Sequence, residues 1–444
     1  GYAIGPGHLL RRCVVRPVYS PMVLTDQPTL EDLLMPYQAP DSVFEEIRRN
    51  DVAGGEGAVE SPAQRSISLG QLKEIYLSQV VRRCVAEQWI GRRQGPDGKW
   101  TYAKLTPETV NLYDLASYVI VPATAPQKCS LIELCVGPEQ QAPPEWVVSS
   151  PWRLPLHALI LSLEAHARDL GLGDGARYWI AALALNQHEL TETAVAANHL
   201  NLPFYQALTH SAGCVAIVDE EGESFDRVWC EYEAYLALAH PPSSTSRFCV
   251  YTPIAHAYYA PGSPMPEMRM AVGLVDGKAR NPRAPAEEET WAAKLRREAP
   301  FPSYLLEMAI GERVVEAGQA SRPADRTRIL NAIAGLNGPK QIGNAPPAQH
   351  ANFTFVNEVL KGHFAAFLLN AALLDTDAER CVRIIDTARK GRVRRMALTL
   401  EGSSDGIADE DAQTGAVTAT LTAALDALDG ATLTELRLDG LAHL

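Results

Sequence analysis

Glu233 lies where a sequence of this kind would place a reactive group. In Ser224 to Ala239 (SFDRVWCEYEAYLALA), Phe225, Val228, Trp229, Tyr232, Leu236 and Ala239 repeat at i, i+3, i+4, i+7, i+11 and i+14, the spacing of one helix face, and Ser224 is placed to cap the first turn. Glu233 falls at i+8 of that stripe. A half-buried carboxylate costs desolvation unless something binds it or it has a task, so Glu233 is the candidate catalytic residue. Glu231 is expected on the opposite, solvated side.

The elements around this helix must position it. Trp146 to Ser150 is a short apolar run that reads as a buried strand, and Leu156, Leu159, Ile160, Leu163, Ala167 and Leu170 follow at helical spacing up to Gly171. Tyr178 to Leu185 reads as a second strand, Phe204 to His210 as a helix, Cys214 to Asp219 as a third strand and Phe248 to Thr252 as a fourth. Strands alternating with helices, without hairpin signals, imply an α/β fold with a parallel sheet covered by helices on both faces. Ligands of such sheets sit at the carboxyl ends of the strands, here the turns after Ser149, Asn186, Asp219 and Thr252.

This order, ending in Trp229-Cys230-Glu231-Tyr232-Glu233, resembles the TIR domain, whose third helix carries a W-C-x-x-E pattern after a hydrophobic strand. From Leu105 to about Gly402 the chain is similar to a family of TIR-like proteins from dinoflagellate algae. Its members read L-T-P-x-x-V-N-L-Y-D-L before the domain, then W-F-V-S-H-x-W-G-E, Y-W-V-C-A-x-A-x-N-Q-H and R-x-W-C-x-Y-E. The matching stretches here are Leu105 to Pro107 with Val110 to Leu115, Trp146 to Arg153, Tyr178 to His188 and Arg227 to Glu233. The resemblance implies a flavodoxin-like/TIR-like sheet.

One stretch departs from the pattern. Where the family has V-S-H-x-W-G-E, this chain has Val148-Ser149-Ser150-Pro151-Trp152-Arg153-Leu154, so His, Gly and Glu are replaced in the loop over the expected pocket. A basic, apolar rim in place of an acidic one points first to a non-catalytic TIR-like interaction or scaffold subunit of a larger protein assembly, without a cofactor. In that reading Arg153 neutralises Glu233. The alternative is a TIR-type NAD nucleosidase, with NAD as substrate. By resemblance Glu233 would then stabilise the oxocarbenium-like riboside, Trp152 and Trp229 would pack against the bases, and Ser149 and Ser150 would bond ribose hydroxyls. Ser149, Ser150, Trp152, Arg153 and Trp229 are therefore the candidate ligand-binding residues.

Composition bounds the remaining choices. The chain has 444 residues, 46% hydrophobic, and a formal charge of -13, which argues against nucleic acid as the main partner. No apolar run approaches the roughly 20 residues of a membrane span. The eight cysteines contain no C-x-x-C pair, and no zinc or other metal site is expected. Asp219, Glu220 and Glu221 read as an acidic solvated turn rather than a cation site, and His157, His166 and His188 lack ligand spacing. No signal peptide is visible at the start of the chain, so the expected setting is intracellular and reducing, an organelle entered after presequence removal included.

Five regions are expected. Residues 1–65 form an extended arm with seven prolines. Residues 66–140 form a small α+β unit, in which Leu69 to Cys84 is a helical stripe and Gly95-Pro96-Asp97-Gly98 turns a hairpin. With Arg82, Arg83, Arg92 and Arg93 it superficially suggests a winged-helix DNA reader, a reading the acidic charge disfavours. Residues 141–276 are the TIR-like domain. Residues 277–375 are helical, with Glu287 to Glu289 as an acidic first turn, a Gly/Pro/Asn linker at 337–347, and a helix resuming at Phe353. Residues 376–444 pair short strands at 394–400 and 432–438 around a helix at 416–428. Leu433-x-x-Leu436-x-Leu438 resembles a leucine-rich-repeat strand, which needs a partner or a continuing chain to cover it.

Overall fold

The computed structural model describes residues 61–94, 99–136, 142–188, 199–256, 268–281, 284–311, 313–338, 340–374, 378–393, 395–399 and 435–439. The amino-terminal arm up to residue 60, the Gly95 to Gly98 turn and the helix expected at 416–428 lie outside them.

Four parallel strands form the centre of a mixed α/β fold: β4 (Trp146–Ser149), β5 (Arg177–Ile180), β6 (Gly213–Ile217) and β7 (Arg247–His256). They lie in the order β5-β4-β6-β7, and two antiparallel edges complete a six-stranded sheet, β1 (Ile67–Ser68) beside β5 and β8 (Met268–Leu274) beside β7. The edges depart from the all-parallel expectation, because β7 runs beyond Thr252 to His256 and so presents a long flank that β8 pairs along its whole length. At Gly213 strands β6 and β7 come so close that a Cβ would stand 2.0 Å from the Arg247 carbonyl oxygen.

Connections between these strands fix the layers. The step from β4 to β5 and the step from β5 to β6 run in opposite directions across the sheet. Right-handed crossovers therefore put α2 (Leu156–Leu170) on one face and α3 (Pro203–Thr209) on the other. α4 (Val228–Ala239) joins β6 to β7 in the same sense as α3 and packs beside it, against β4 and β6. The second strand ends earlier than Leu185: Ala181–Ala184 forms a helical turn, as four residues of high helix propensity favour.

The amino-terminal unit docks directly on this sheet. α1 (Leu69–Ile75), started by the Ser68–Gln71 capping box, continues as a π-helical segment at Tyr76–Val81 where the spacing predicts an uninterrupted α-helix. β2 (Ile90–Gln94) and β3 (Trp100–Lys104) pair antiparallel as the hairpin expected there. Two of its four arginines are engaged by the protein, Arg83 buried on Glu87 and Gln79 and Arg93 on the buried Asp114, whereas Arg82 and Arg92 are exposed, Arg92 over the Trp100 ring.

Beyond β8, Glu287 and Glu288 close strand β10 (Ala284–Glu288), paired to β9 (Arg280–Asn281), instead of opening a helix. The cause is Glu289, whose carboxylate is captured by the Ala279 amide and the Arg297 guanidinium, both at 2.8 Å. α5 (Trp291–Glu298), α6 (Ser303–Ile310), α7 (Pro323–Ile333), α8 (Ala351–Leu374) and α9 (Ala378–Lys390) follow. α8 covers the outer side of α4. β11 (Arg395–Thr399) and β12 (Glu435–Asp439) make a separate parallel pair. Among the described residues no helix is long and apolar enough to cross a membrane.

Candidate functional site

Glu233 sits on the sheet side of α4, where the Ser149 hydroxyl, at the carboxyl end of β4, donates to its Oε2 at 2.6 Å. Burial pushes the Glu233 carboxyl up to about 8, and the Ser149 bond opposes that rise. Among the described residues no cation pairs with it. Arg153, the partner expected from sequence, turns away: it bonds Glu223 Oε1 at 2.9 Å and lies 4.9 Å from the centre of the Trp100 ring. The hairpin and the turn before α4 together offer Arg153 a carboxylate and an aromatic face, which draws it off the pocket.

A cleft of about 380 Å³ opens in front of Glu233. Ser150, Pro151 and Trp152 from the loop after β4 form one wall, Trp229 and Cys230 from α4 another, and Leu202 to Phe204 at the start of α3 a third. The position, outside the carboxyl ends of adjacent strands, is the one expected for a sheet of this type. Of the sequence candidates, Glu233, Ser150, Trp152 and Trp229 line the cleft. Ser149 stands behind it with its hydroxyl committed to Glu233, so it positions the carboxylate and does not face a ligand.

The loop that carries Trp152 is held by residues some forty positions earlier in the chain. Leu112 N donates to Trp152 O at 3.1 Å and Leu156 N to Val110 O at 2.7 Å. Asn111 caps the following helical turn through Tyr113 N and Asp114 N, and Tyr113 packs on Trp152 with ring centres 5.3 Å apart. Val110 to Leu115 is thus the support of the pocket loop, a role its spacing does not reveal.

Sequence reasoning missed the mouth of the cleft. Tyr113, Arg227, Ser321, Arg322 and Asp325 line it. Arg227 Nη2 donates to Ser321 Oγ at 2.7 Å, and the Tyr113 hydroxyl bonds the same oxygen. Arg322 Nε pairs with Asp325 at 3.1 Å. Arg227 and Tyr113 were visible within the quoted motifs, whereas Ser321 comes from a segment stitched to the start of α4 by Val228 N to Gln319 O at 3.0 Å, which no local pattern signals.

Other expectations are corrected nearby. Ser224 does not cap α4: its hydroxyl donates to Ile217 O and Asp219 Oδ1, and the residue before the helix is Arg227. Asp219 is buried, its carboxylate bonded by the Glu223 and Ser224 amides at 2.8 and 2.9 Å, not part of a solvated turn. Glu231 is 8% exposed because α8 and the 313–318 segment cover that side of α4, and its Oε2 has no hydrogen-bond partner. Burial, with Asp226 adding to it, holds its carboxyl well above the usual range. His188 bonds Thr124 Oγ1 at 2.8 Å outside the cleft, and His166 is buried on the Tyr178 hydroxyl.

Comparison of the chain with protein-family models, with curated proteins and with solved structures finds no match.

Proposed function

We propose that the cleft is the active site of a TIR-like nucleosidase that cleaves the nicotinamide N-glycosidic bond of NAD. The observation that carries this reading is Glu233: a carboxyl on the wall of an open cleft, held by one serine and paired with no cation among the described residues. The strand order β5-β4-β6-β7 with helices on both faces supports the TIR-like, flavodoxin-like assignment. A cleft of about 380 Å³ lies within the usual range for small-ligand pockets.

The chemistry follows from desolvation. Burial favours the protonated Glu233 carboxyl, and a pyridinium ring entering beside it supplies the positive charge that favours the carboxylate. As the C1′–N bond breaks, its electron pair neutralises the departing nicotinamide, and positive charge moves onto the ribose ring beside the Glu233 carboxylate. Water then adds to C1′ and gives up one proton, leaving ADP-ribose. Trp152 and Trp229 supply flat apolar faces for the rings.

Incubation of the purified protein with NAD tests this. Nicotinamide should appear, and Glu233→Gln should abolish it; equal product from both proteins sinks the reading.

A second reading, a non-catalytic scaffold subunit of a protein assembly, is favoured by one feature. Leu77, Val81 and Val85, four residues apart in sequence, are 57%, 40% and 62% exposed. Light scattering after size exclusion tests it: a monomer that co-purifies with no subunit of its source argues against this reading.

A further inference from the structure

We infer that the outer edge of β3 (Trp100–Lys104) is a docking surface for an extended, carboxylate-rich segment of a partner protein, which adds to the hairpin as a third strand. Neither Glu233 nor the cleft takes part in it. The register of the hairpin shows which backbone groups are available. Leu105 N donates to Trp89 O, one step beyond the Ile90–Lys104 pair, so the hydrogen-bonded pairs recur at Gly91–Ala103 and Arg93–Thr101. The N–H and C=O groups of Trp100, Tyr102 and Lys104 therefore point away from β2.

The two edges of the hairpin are treated differently. On the β2 side the Tyr118 hydroxyl closes the edge, accepting from Ile90 N and donating to Ile90 O, both at 3.0 Å. On the β3 side no further strand pairs among the described residues, and the outward groups of Trp100, Tyr102 and Lys104 find no backbone partner there. Such a row of donors and acceptors is a template for an added strand.

Side chains set the chemistry of the partner. By strand alternation Trp100, Tyr102 and Lys104 share a face with Arg92, while Gly91 and Arg93 turn the other face toward Leu105 and Asp114. Trp100 and Tyr102 are 43% and 42% exposed, and Arg92 and Lys104 are exposed with them. Aromatic rings flanked by cations, on a chain whose formal charge is -13, fit an acidic peptide. A second copy pairing edge to edge would bring another set of the same cations, which repulsion opposes. The Arg92 and Arg153 guanidinium carbons lie 4.5 and 4.9 Å from the centre of the Trp100 ring, so that ring is no open platform for a nucleobase.

Panning a library of random linear peptides on the full chain, with Tyr102→Pro as counter-selection, tests this. Enrichment of sequences rich in aspartate and glutamate is expected. Proline at this position removes only an outward N–H, which an edge strand tolerates. In fluorescence anisotropy the leading peptide should lose about ten-fold in affinity on Arg92→Glu, on Lys104→Glu and on Tyr102→Pro. Its binding should also protect the Trp100, Tyr102 and Lys104 amides from hydrogen exchange. Absence of acidic enrichment, an affinity that survives the three substitutions, or unprotected amides overturns the inference. So does an oligothymidine that binds more tightly than the peptide, which assigns the edge to nucleic acid, or a dimer of the free protein that Tyr102→Pro dissolves, which assigns it to a second copy. Circular dichroism of each variant checks that the fold is kept.

Discussion

Ser149 and Glu233 are joined across two elements, the end of β4 and the second turn of α4, by a 2.6 Å hydrogen bond in which the hydroxyl donates. The bond favours the charged carboxylate against the cost of burial. Ser149→Ala should therefore push the Glu233 carboxyl higher and move the pH profile of nicotinamide release toward alkaline pH. The fold should lose about 1 kcal/mol in chemical denaturation. An unshifted profile would separate Ser149 from the chemistry.

Glu233 also links stability to pH. Its folded value, about 8, stands above its unfolded value, so between the two the folded state holds a proton that the unfolded state has released. Folding stability is thereby lost as pH rises from the ordinary carboxylate range to about 8, and not regained above it. Glu233→Gln removes this dependence. The stability of this variant relative to the wild type should rise from about pH 5 and level off near pH 8, by an amount on the order of a few kcal/mol at most. A constant difference across that range would show that Glu233 is not desolvated.

Glu231 makes the complementary case on the other side of the helix. Its Oε2 is buried without a partner, and a Cβ added at Gly318 would stand 2.6 Å from it. Glu231→Met should stabilise the protein by about 1 to 3 kcal/mol at neutral pH, because an apolar group of similar shape removes the unsatisfied oxygen. Gly318→Ala should destabilise it through the clash. The pair of melting curves should thus move in opposite directions.

Arg153→Ala is expected to do little. The Arg153–Glu223 pair is about one-third exposed on each side, so its loss should cost less than about 1 kcal/mol, and the pH dependence set by Glu233 should stay as it is. A change in the Glu233 titration after this substitution would mean that the arginine does reach the pocket.

The helix bearing Glu233 and the alternation of strands and helices along the chain were legible in the sequence because both depend on apolar patterning, which a single chain displays. Glu231 was misjudged because α4 is covered on two sides, and its second cover, α8, lies more than a hundred residues later. Arg153 was paired with the wrong carboxylate for a related reason. Its position beyond β4 was readable, but the competing attractions of Trp100 and Glu223 arise only when the hairpin docks. The mouth residues Ser321 and Arg322 were invisible because they reach the site through backbone bonds between distant segments.

The bonds from Val110 and Leu112 to the loop after β4 bear on how the protein can be divided. A fragment begun just before Trp146 would keep every parallel strand of the sheet and look complete by pattern. It would nevertheless lose β1 from one edge, Tyr113 from beneath Trp152, and the two backbone contacts that set the loop's course. A piece that keeps the support of the cleft loop therefore begins upstream of Val110, and one that also keeps the β1 edge begins upstream of Ile67.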